Sequence, residues 1–446
     1  MRETRNAQLS VFDFYSEHDT GKRLRELSDV LDQHPGMLML IERDFSKHDV
    51  ASTGARGLAL ESILRCLILK LTLGLSYRKL EFALADSPTY RSFARLRGGQ
   101  SPSRSALQGT LRRVSPETLQ NINQLLMSRM VEQGDMSLER LRIDSTVVDS
   151  NIAPPRDSQL LDDGVRVLSR LMSYSKTRTG VKVRFVDQRK RSKSLAFRIF
   201  HAKKAEKDAL YPQLLTCVAV TLRQVGKAID KVQFDATLSL EAQLWIQEVE
   251  HYRALLLKVI DQTQRRVFNE ESVPASEKIV SLFEPHTDII VKGTRDVQYG
   301  HKINLATQGD GFITYLNIED GNPADSTLYI PVLDACHNDY EKRPVAVVAD
   351  GGYASQANVA LARASGVKRA VFSKRVGLSY HQMGVKKKTF EVLKNFRAGI
   401  EGNISELKRA FAMGRANWKG LDGFKAYVWS AVLSYNLVRM ARFSSA

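Results

Sequence analysis

Residues 141–152 read LRIDSTVVDSNI. β-Branched residues crowd this stretch and apolar positions alternate with polar ones, which predicts a strand. The residues before it have a helical pattern, so the chain changes character here. Asp144 places a charge inside the strand. In a central strand that charge is costly without a partner or a metal; on an edge strand it would simply face solvent. A second stretch, PVAVVADGG at 344–352, is an apolar run ending at Asp350 and two glycines. It reads as a buried strand whose end projects a carboxylate into the crevice where α/β sheets bind ligands, or as a plain Asp-Gly turn. Around these two stretches, TDIIVKG, HKINLATQ and GFITYLNIEDG read as short strands from about Thr287. Ala324 to Asp339 reads as a helix, SQANVALARASG as another stopping at Gly366, and KRAVFS as a strand before the closing helices. Strands in a row followed by strand–helix alternation predict an α/β fold, a mixed sheet flanked by helices.

Up to residue 135 the chain reads as helices: Lys22 to Gln33, Gly57 to Leu75, Tyr77 to Ala85, Ser103 to Arg113, and SPETLQNINQLLMSRMVEQG. In the last of these Ser115 can cap, Pro116 suits the first helical position and Glu117 favours the positive end of the helix dipole. SRSALQGTLRR, entered through QSPS, fits a DNA-reading helix-turn-helix element or ordinary helix packing, and pattern alone favours packing. The most apolar run, SILRCLILKLTLGL from Ser62, contains Arg65 and Lys70 and is too short to span a bilayer, so it predicts a buried helix. The N-terminal MRETRNAQLS has no apolar core of a signal peptide. Cys66, Cys217 and Cys336 form no CxxC pair, which argues against structural zinc or a disulfide framework and fits a reducing cytosol.

A net charge of +17 is unusual, and it is concentrated. Residues 366–446 hold 16 Lys/Arg against 4 Asp/Glu, and residues 176–207 hold 12 against 2. The remainder of the chain is therefore mildly acidic. Focused basic patches fit a surface that tracks a phosphate backbone; the bland alternative is a solvated basic face. The second patch, KTRTGVKVRFVDQRKRSKSLAFRIFHAKKAEK, has Phe185, Phe197 and Phe200 interleaved. Before it, NIAPPRDSQLLDDG reads as a loop and Val165 to Tyr174 as a helix. After it come two long helical patterns, Lys203 to Val232 and Ser239 to Val267, expected to form an antiparallel pair.

The segment FRAGIEGNISELKR, residues 396–409, sets two glutamates among cations. Arg397, Glu401 and Lys408 fall on one helical face, being four and seven residues apart. Glu406 lies about 140° further round an ideal helix and points elsewhere. Glu401 could merely pair with Arg397 four residues before it. Asp144, Asp350 and Glu401, arriving from two strands and a helix, would instead form a hard, oxygen-rich pocket suited to Mg²⁺ or Mn²⁺. Two such ions about 3.5–4 Å apart serve phosphodiester chemistry, and the cations around them would hold DNA phosphates.

At these residues the sequence resembles the DDE transposases of bacterial insertion sequences, whose catalytic domain is ribonuclease-H-like. The first aspartate of that family matches Asp144 in LRIDSTVV and the second matches Asp350 in VVADGGYAS. The family's Tyr-x2-Arg-x3-Glu-x6-Lys motif matches Arg397, Glu401 and Lys408, with Lys394 standing where the tyrosine would be. SYRKLEFALADSPTYRSFARL and SPSRSALQGTLRRVSPETLQNINQLL are similar to the N-terminal helices of such transposases, and STVVDSNIAPPRDSQLLDDGVRVLSRL to the ISNCY-like group. The resemblance implies catalytic, metal-holding Asp144, Asp350 and Glu401, with Arg397, Lys408, Lys394 and Lys302 contacting DNA. It further implies two Mg²⁺ or Mn²⁺ ions, DNA as partner, at least a dimer on paired DNA ends, no membrane, and a place at the nucleoid in the cytoplasm. Residues 1–135 are then expected to form a helical DNA-binding or assembly region. Residues 136–155 and 286–446 would be the ribonuclease-H-like catalytic domain, and 156–285 a basic helical insertion after its first strand. The expected function is metal-dependent cleavage and strand transfer at terminal inverted repeats. A nuclease sharing the core, or a non-catalytic DNA-binding relative, are the alternatives.

Overall fold

The computed structural model describes residues 3–5, 15–46, 57–235, 239–292 and 296–444. Most of the N-terminal stretch inspected for a signal peptide lies outside the described residues, as does Gly293 at the end of the TDIIVKG strand. The chain divides into two compact units, residues 1–149 with 301–446, and residues 150–300.

The described part of the first unit opens with α1 (Asp19–Gln33), α2 (Gly36–Ser46), α3 (Leu60–Thr72), α4 (Tyr77–Asp86), α5 (Pro88–Ala94), α6 (Arg104–Leu111) and α7 (Pro116–Gln133). α3 is buried from Leu60 to Leu71, Arg65 and Lys70 included, which is why its sequence is apolar on every side. The buried Arg65 guanidinium is satisfied by Glu61, Asp32, the Ser28 hydroxyl and the Phe93 carbonyl. In α7 the Ser115 side chain accepts from the Thr118 N–H, Pro116 stands in the first turn, and Gly134 closes the helix at a φ of 81°. The helices of residues 19–133 and the sheet share one continuous apolar core. α7 packs on the last helix of the chain, where Asn436 Nδ2 donates to Asn123 Oδ1 at 2.7 Å.

The sheet has the order β2-β3-β1-β5-β6, with β4 also on β3 and β7 also on β1. Its strands are β1 (Arg140–Ser150), β2 (Asp288–Lys292), β3 (Asp296–Thr307), β4 (Ile313–Ile318), β5 (Ala346–Ala349), β6 (Arg369–Phe372) and β7 (Arg415–Ala416). β3 and β4 pair antiparallel, whereas β1, β5 and β6 run parallel. All four residues of β5 are buried, as its unbroken apolar sequence requires for a strand covered on both faces. This is the mixed sheet flanked by helices expected of a ribonuclease-H-like core. β1 lies inside the sheet, so Asp144 does not sit on an edge.

The second unit has its own apolar core, built from α8 (Asp157–Ser173), α9 (Ser175–Thr179), α10 (Arg189–His201), α11 (Lys204–Asp235) and α12 (Leu240–Thr263). α8 begins well before Val165, where a loop was expected. Gly164, the last residue of the stretch read as loop, sits mid-helix, where a Cβ would come within 2.4 Å of a Leu256 methyl on α12. The glycine permits close helix packing. α11 and α12 both pack against α8, more than the simple antiparallel pair expected from their length. α10 lies in the basic patch and was hidden in the sequence by its density of cations. Within this unit β2 pairs antiparallel with the first half of β3, Asp288 opposite Gly300.

Cys66, Cys217 and Cys336 are free and buried. Among the described residues, no helix is long and apolar enough to cross a membrane.

Candidate active site

β1 and β5 pair in parallel up to Ile143 opposite Ala349. One residue further stand Asp144 and Asp350, on strands that neighbour one another at about 4.8 Å. β6 continues the row: Phe372 lies opposite Ala349, and the next residue, Ser373, donates its hydroxyl to Asp350 Oδ1 at 2.6 Å. The two glycines after Asp350 allow close approach as much as a turn. A Cβ on Gly351 would meet Lys374 Cβ at 2.7 Å, and one on Gly352 would meet Asp325 Oδ2 at 2.8 Å.

Arg142 and Asp144 are two residues apart on β1 and so share a face of the sheet. α15 (Lys387–Ala410) covers that face; α13 (Tyr329–Tyr340) and α14 (Gln356–Ala364) precede it and α16 (Leu421–Ser444) follows. Arg142 fastens α15 to the strand. Its Nε donates to Thr307 Oγ1 at 2.8 Å, its Nη1 to the Phe396 carbonyl at 3.0 Å and its Nη2 to Asn403 Oδ1 at 3.0 Å. The guanidinium also stacks 5.0 Å from the Phe396 ring centre. Gly399 makes this possible, because a Cβ there would fall 2.0 Å from Arg142 Nη1.

So anchored, α15 points Arg397 at the strand ends. Its Nη2 donates to Asp144 Oδ2 at 2.6 Å and lies 3.9 Å from Asp350 Oδ1, while its Nη1 donates to Glu401 Oε1 at 2.5 Å. One guanidinium therefore touches all three carboxylates singled out in the sequence. Its Nε–H is buried without a hydrogen-bond partner among the described residues. The Glu401 side chain is 62% exposed and sits at the open side of the group. Glu406 turns away to pair with Arg439 at 3.2 Å and Arg442 at 3.4 Å.

The two aspartates differ electrostatically. Burial pushes the Asp144 carboxyl above its ordinary value, helped by Asp350 and Glu401 and opposed by Arg397 and the Ser145 N–H. Burial acts the same way on Asp350 but is outweighed by the Ser373 hydroxyl, the Gly351 N–H, Arg397 and Lys374, which hold it below the usual range. The donor set is all carboxylate oxygen, the chemistry that suits a hard divalent cation, and a cationic group already occupies its centre. Among the described residues, no group of three or more His, Cys, Asp or Glu is spaced to hold a metal ion.

The other expected residues fall into two kinds. Lys394 is exposed on α15, 4.0 Å from Glu391, and Lys408 is half-buried further along the same helix. Lys302, expected at DNA, is instead buried on β3, where its Nζ meets Asp325 Oδ1 at 2.6 Å and the Pro323 carbonyl at 2.7 Å. A lysine so enclosed has no charge to offer a phosphate. It holds Asp325, whose Oδ1 also accepts from the Ser145 hydroxyl at 3.1 Å, beside Asp144. Asp149 lies five residues along β1 from Asp144, about 17 Å in an extended strand, and faces Arg415 at 3.8 Å. Sequence reasoning missed Arg142, Asp325, Ser373 and the exposed Lys374. Only Ser373 and Lys374 left a signal, their place just past the strand that neighbours Asp350.

Two family models match the chain: the Transposase DDE domain over residues 283–437 and the Transposase domain (DUF772) over residues 12–113. Asp350, Arg397, Glu401 and Lys408 lie inside the first match and Asp144 lies outside both. No curated protein and no solved structure matches the chain.

Proposed function

Because the chain belongs to the transposases of insertion sequences, we propose that it binds the terminal inverted repeats of its element and carries out metal-dependent strand cleavage and strand transfer on DNA. The observation that carries this reading is the convergence of Asp144, Asp350 and Glu401 on the single Arg397 guanidinium. Asp144, Asp350 and Glu401 would hold Mg²⁺ or Mn²⁺, one ion or two. When bound, such ions activate a water or a 3′-hydroxyl as nucleophile and stabilise the leaving oxygen.

The chain's own groups do the rest. The Ser145 N–H, bonded to Asp144 Oδ1 at 2.8 Å, fixes one carboxylate, and Ser373 fixes and keeps ionised the second. Glu401 stands on a helix held by Arg142 and closes the group from the solvent side. Arg397, now neutralising the acids, would exchange Asp144 for a DNA phosphate as substrate arrives. Lys394, Lys408 and Lys374 supply further positive charge around the strand to be cut, which draws in and orients phosphates without reading sequence. Each chain contributes one such site and an element has two ends, so the active form would be at least a dimer on paired ends.

The test uses purified full-length chain, duplexes carrying the inverted repeats that bound its gene with a free 3′-hydroxyl, target plasmid, and Mg²⁺ or Mn²⁺. Joined product should form with the native chain. It should fall by roughly a hundredfold or more for Asp144→Asn, Asp350→Asn and Glu401→Gln, and persist for Glu406→Gln. Full joining activity in Glu401→Gln would sink the assignment, and hydrolysis with no joined product would reduce the chain to a nuclease.

A further inference from the structure

The second unit segregates its charge. Residues 176–207 hold 12 Lys/Arg against 2 Asp/Glu, whereas residues 208–300 hold 10 against 13. α10 is the longest helical segment of the basic stretch, between α9 and the start of α11. At 100° per residue, Ser192, Leu195, Ala196 and Ile199 fall on one arc and are buried against the unit's core. The opposite arc presents Lys190, Arg191, Lys193 and Arg198 to solvent, and Lys182 and Arg184 are exposed in the segment leading into the helix. None of these six makes an ion pair among the described residues, while Arg189 is paired with Asp187. Like charges crowded on one helix face repel one another. Folding tolerates that cost with no ion pair to these six, although the buried Asp162 carboxylate, bonded to Ser192, interacts electrostatically with Lys193.

The same face carries aromatics. Phe197 is 66% exposed, with its ring 4.5 Å from the His201 ring, and Phe200 packs on His201 and lies 3.6 Å beneath the Arg156 guanidinium. An uncovered phenylalanine inside a cationic field suits a partner with both phosphates and apolar surface.

We propose that the outer face of α10, with the segment before it, is a DNA-binding surface of the insertion, gripping the phosphate backbone of a duplex through Lys190, Arg191, Lys193 and Arg198. It rests on the reading above that the chain acts on DNA. It adds a grip remote in sequence from the carboxylates and independent of base sequence. Charge complementarity carries the choice of partner, and Phe197 adds contact to sugar or base edges.

The experiment measures binding of a fluorescein-labelled duplex of arbitrary sequence to the full chain by anisotropy over a salt series, without metal and in an Asp350→Asn background so that nothing is cut. Replacing Lys190, Lys193 and Arg198 together with Gln should flatten the slope of log affinity against log salt by about 2 to 3, and lower affinity on the order of a hundredfold at 0.1 M salt. The charge-keeping set Lys190→Arg, Lys193→Arg, Arg198→Lys should restore both. Should the triple variant melt early, the three single Gln variants carry the test, each flattening the slope by about 0.9. A slope unchanged by every Gln variant would overturn the proposal and leave the face to an acidic protein partner. That outcome would leave the transposase reading standing, whereas a parent chain that binds no DNA at any salt would sink both.

Discussion

Gly399 and Gly402 stand one turn apart in α15 and have opposite reasons to be there. The sequence shows only two helix-weakening residues beside a glutamate, and suggests that both admit a close neighbour. In the fold only Gly399 does, because Arg142 from β1 lies where its Cβ would be, whereas nothing lies within 4 Å of a Cβ on Gly402. Gly399→Ala should therefore displace Arg142 from Phe396, Thr307 and Asn403, destabilise the fold by about 1–3 kcal/mol, and loosen the helix that carries Glu401. Gly402→Ala should stabilise by about 0.5–1 kcal/mol through helix propensity alone. Urea melts of both variants decide it: equal effects, or a destabilised Gly402→Ala, would refute the assignment. The residue scale also shows what can be read in advance. Glu401 and Glu406 separate by helical spacing, and Asp350 by its place after an apolar run. Arg142 and Asp325 cannot be found that way, because their partners are distant in the chain and only folding brings them together. Lys302 misleads for the same reason, since its partner Asp325 is distant in sequence and meets it only in the fold.

Among the elements, α3 was legible as a buried helix from composition, despite its two cations, and the fold satisfies them differently. Arg65 has carboxylates. Lys70 lies instead over aromatic faces, the Tyr77 and Tyr427 rings at 5.0 and 5.8 Å. Burial lowers its pKa from an ordinary 10.5 to about 8. The sign follows from proton binding. Below about pH 8 both states carry the proton and folding pays to bury the charge; between about 8 and 10.5 the unfolded chain binds it and the fold does not, so stability rises with pH. Lys70→Met should thus stabilise at pH 7, by about 1–3 kcal/mol less whatever the cation–π contacts contribute. Its advantage should shrink as pH approaches 10. A gap between variant and native chain that stays constant from pH 7 to 10 would mean Lys70 is not its source. Other elements were less legible. The first turns of α8 lie in the stretch that reads as a loop, NIAPPRDSQLLDDG, and α10 is hidden by its cations, which suppress the apolar periodicity that marks a helix.

At the scale of the molecule, the apolar core divides in two while positive charge gathers in both units, at residues 366–446 of the first and 176–207 of the second. The apolar core of residues 150–300 is distinct from that of the sheet and its helices. The sequence places a basic helical insertion at 156–285, and the second compact unit spans 150–300, with β1 and β3 each running across one of its ends. Separate cores imply separate cooperativity. Trp245 tests this, being fully buried in the second core with its Nε1–H donating to the Leu171 carbonyl at 3.0 Å. Calorimetry of the full chain should resolve two transitions. Trp245→Ala, which empties a large core site at a cost of about 3–5 kcal/mol, should lower one of them and leave the other in place, while Gly399→Ala should do the reverse. Were both substitutions to move a single transition together, the insertion would be an integral part of one cooperative fold. Its basic face would then be tied in stability to the sheet of the first unit, so that α10 variants would have to be judged by salt slope and never by affinity alone.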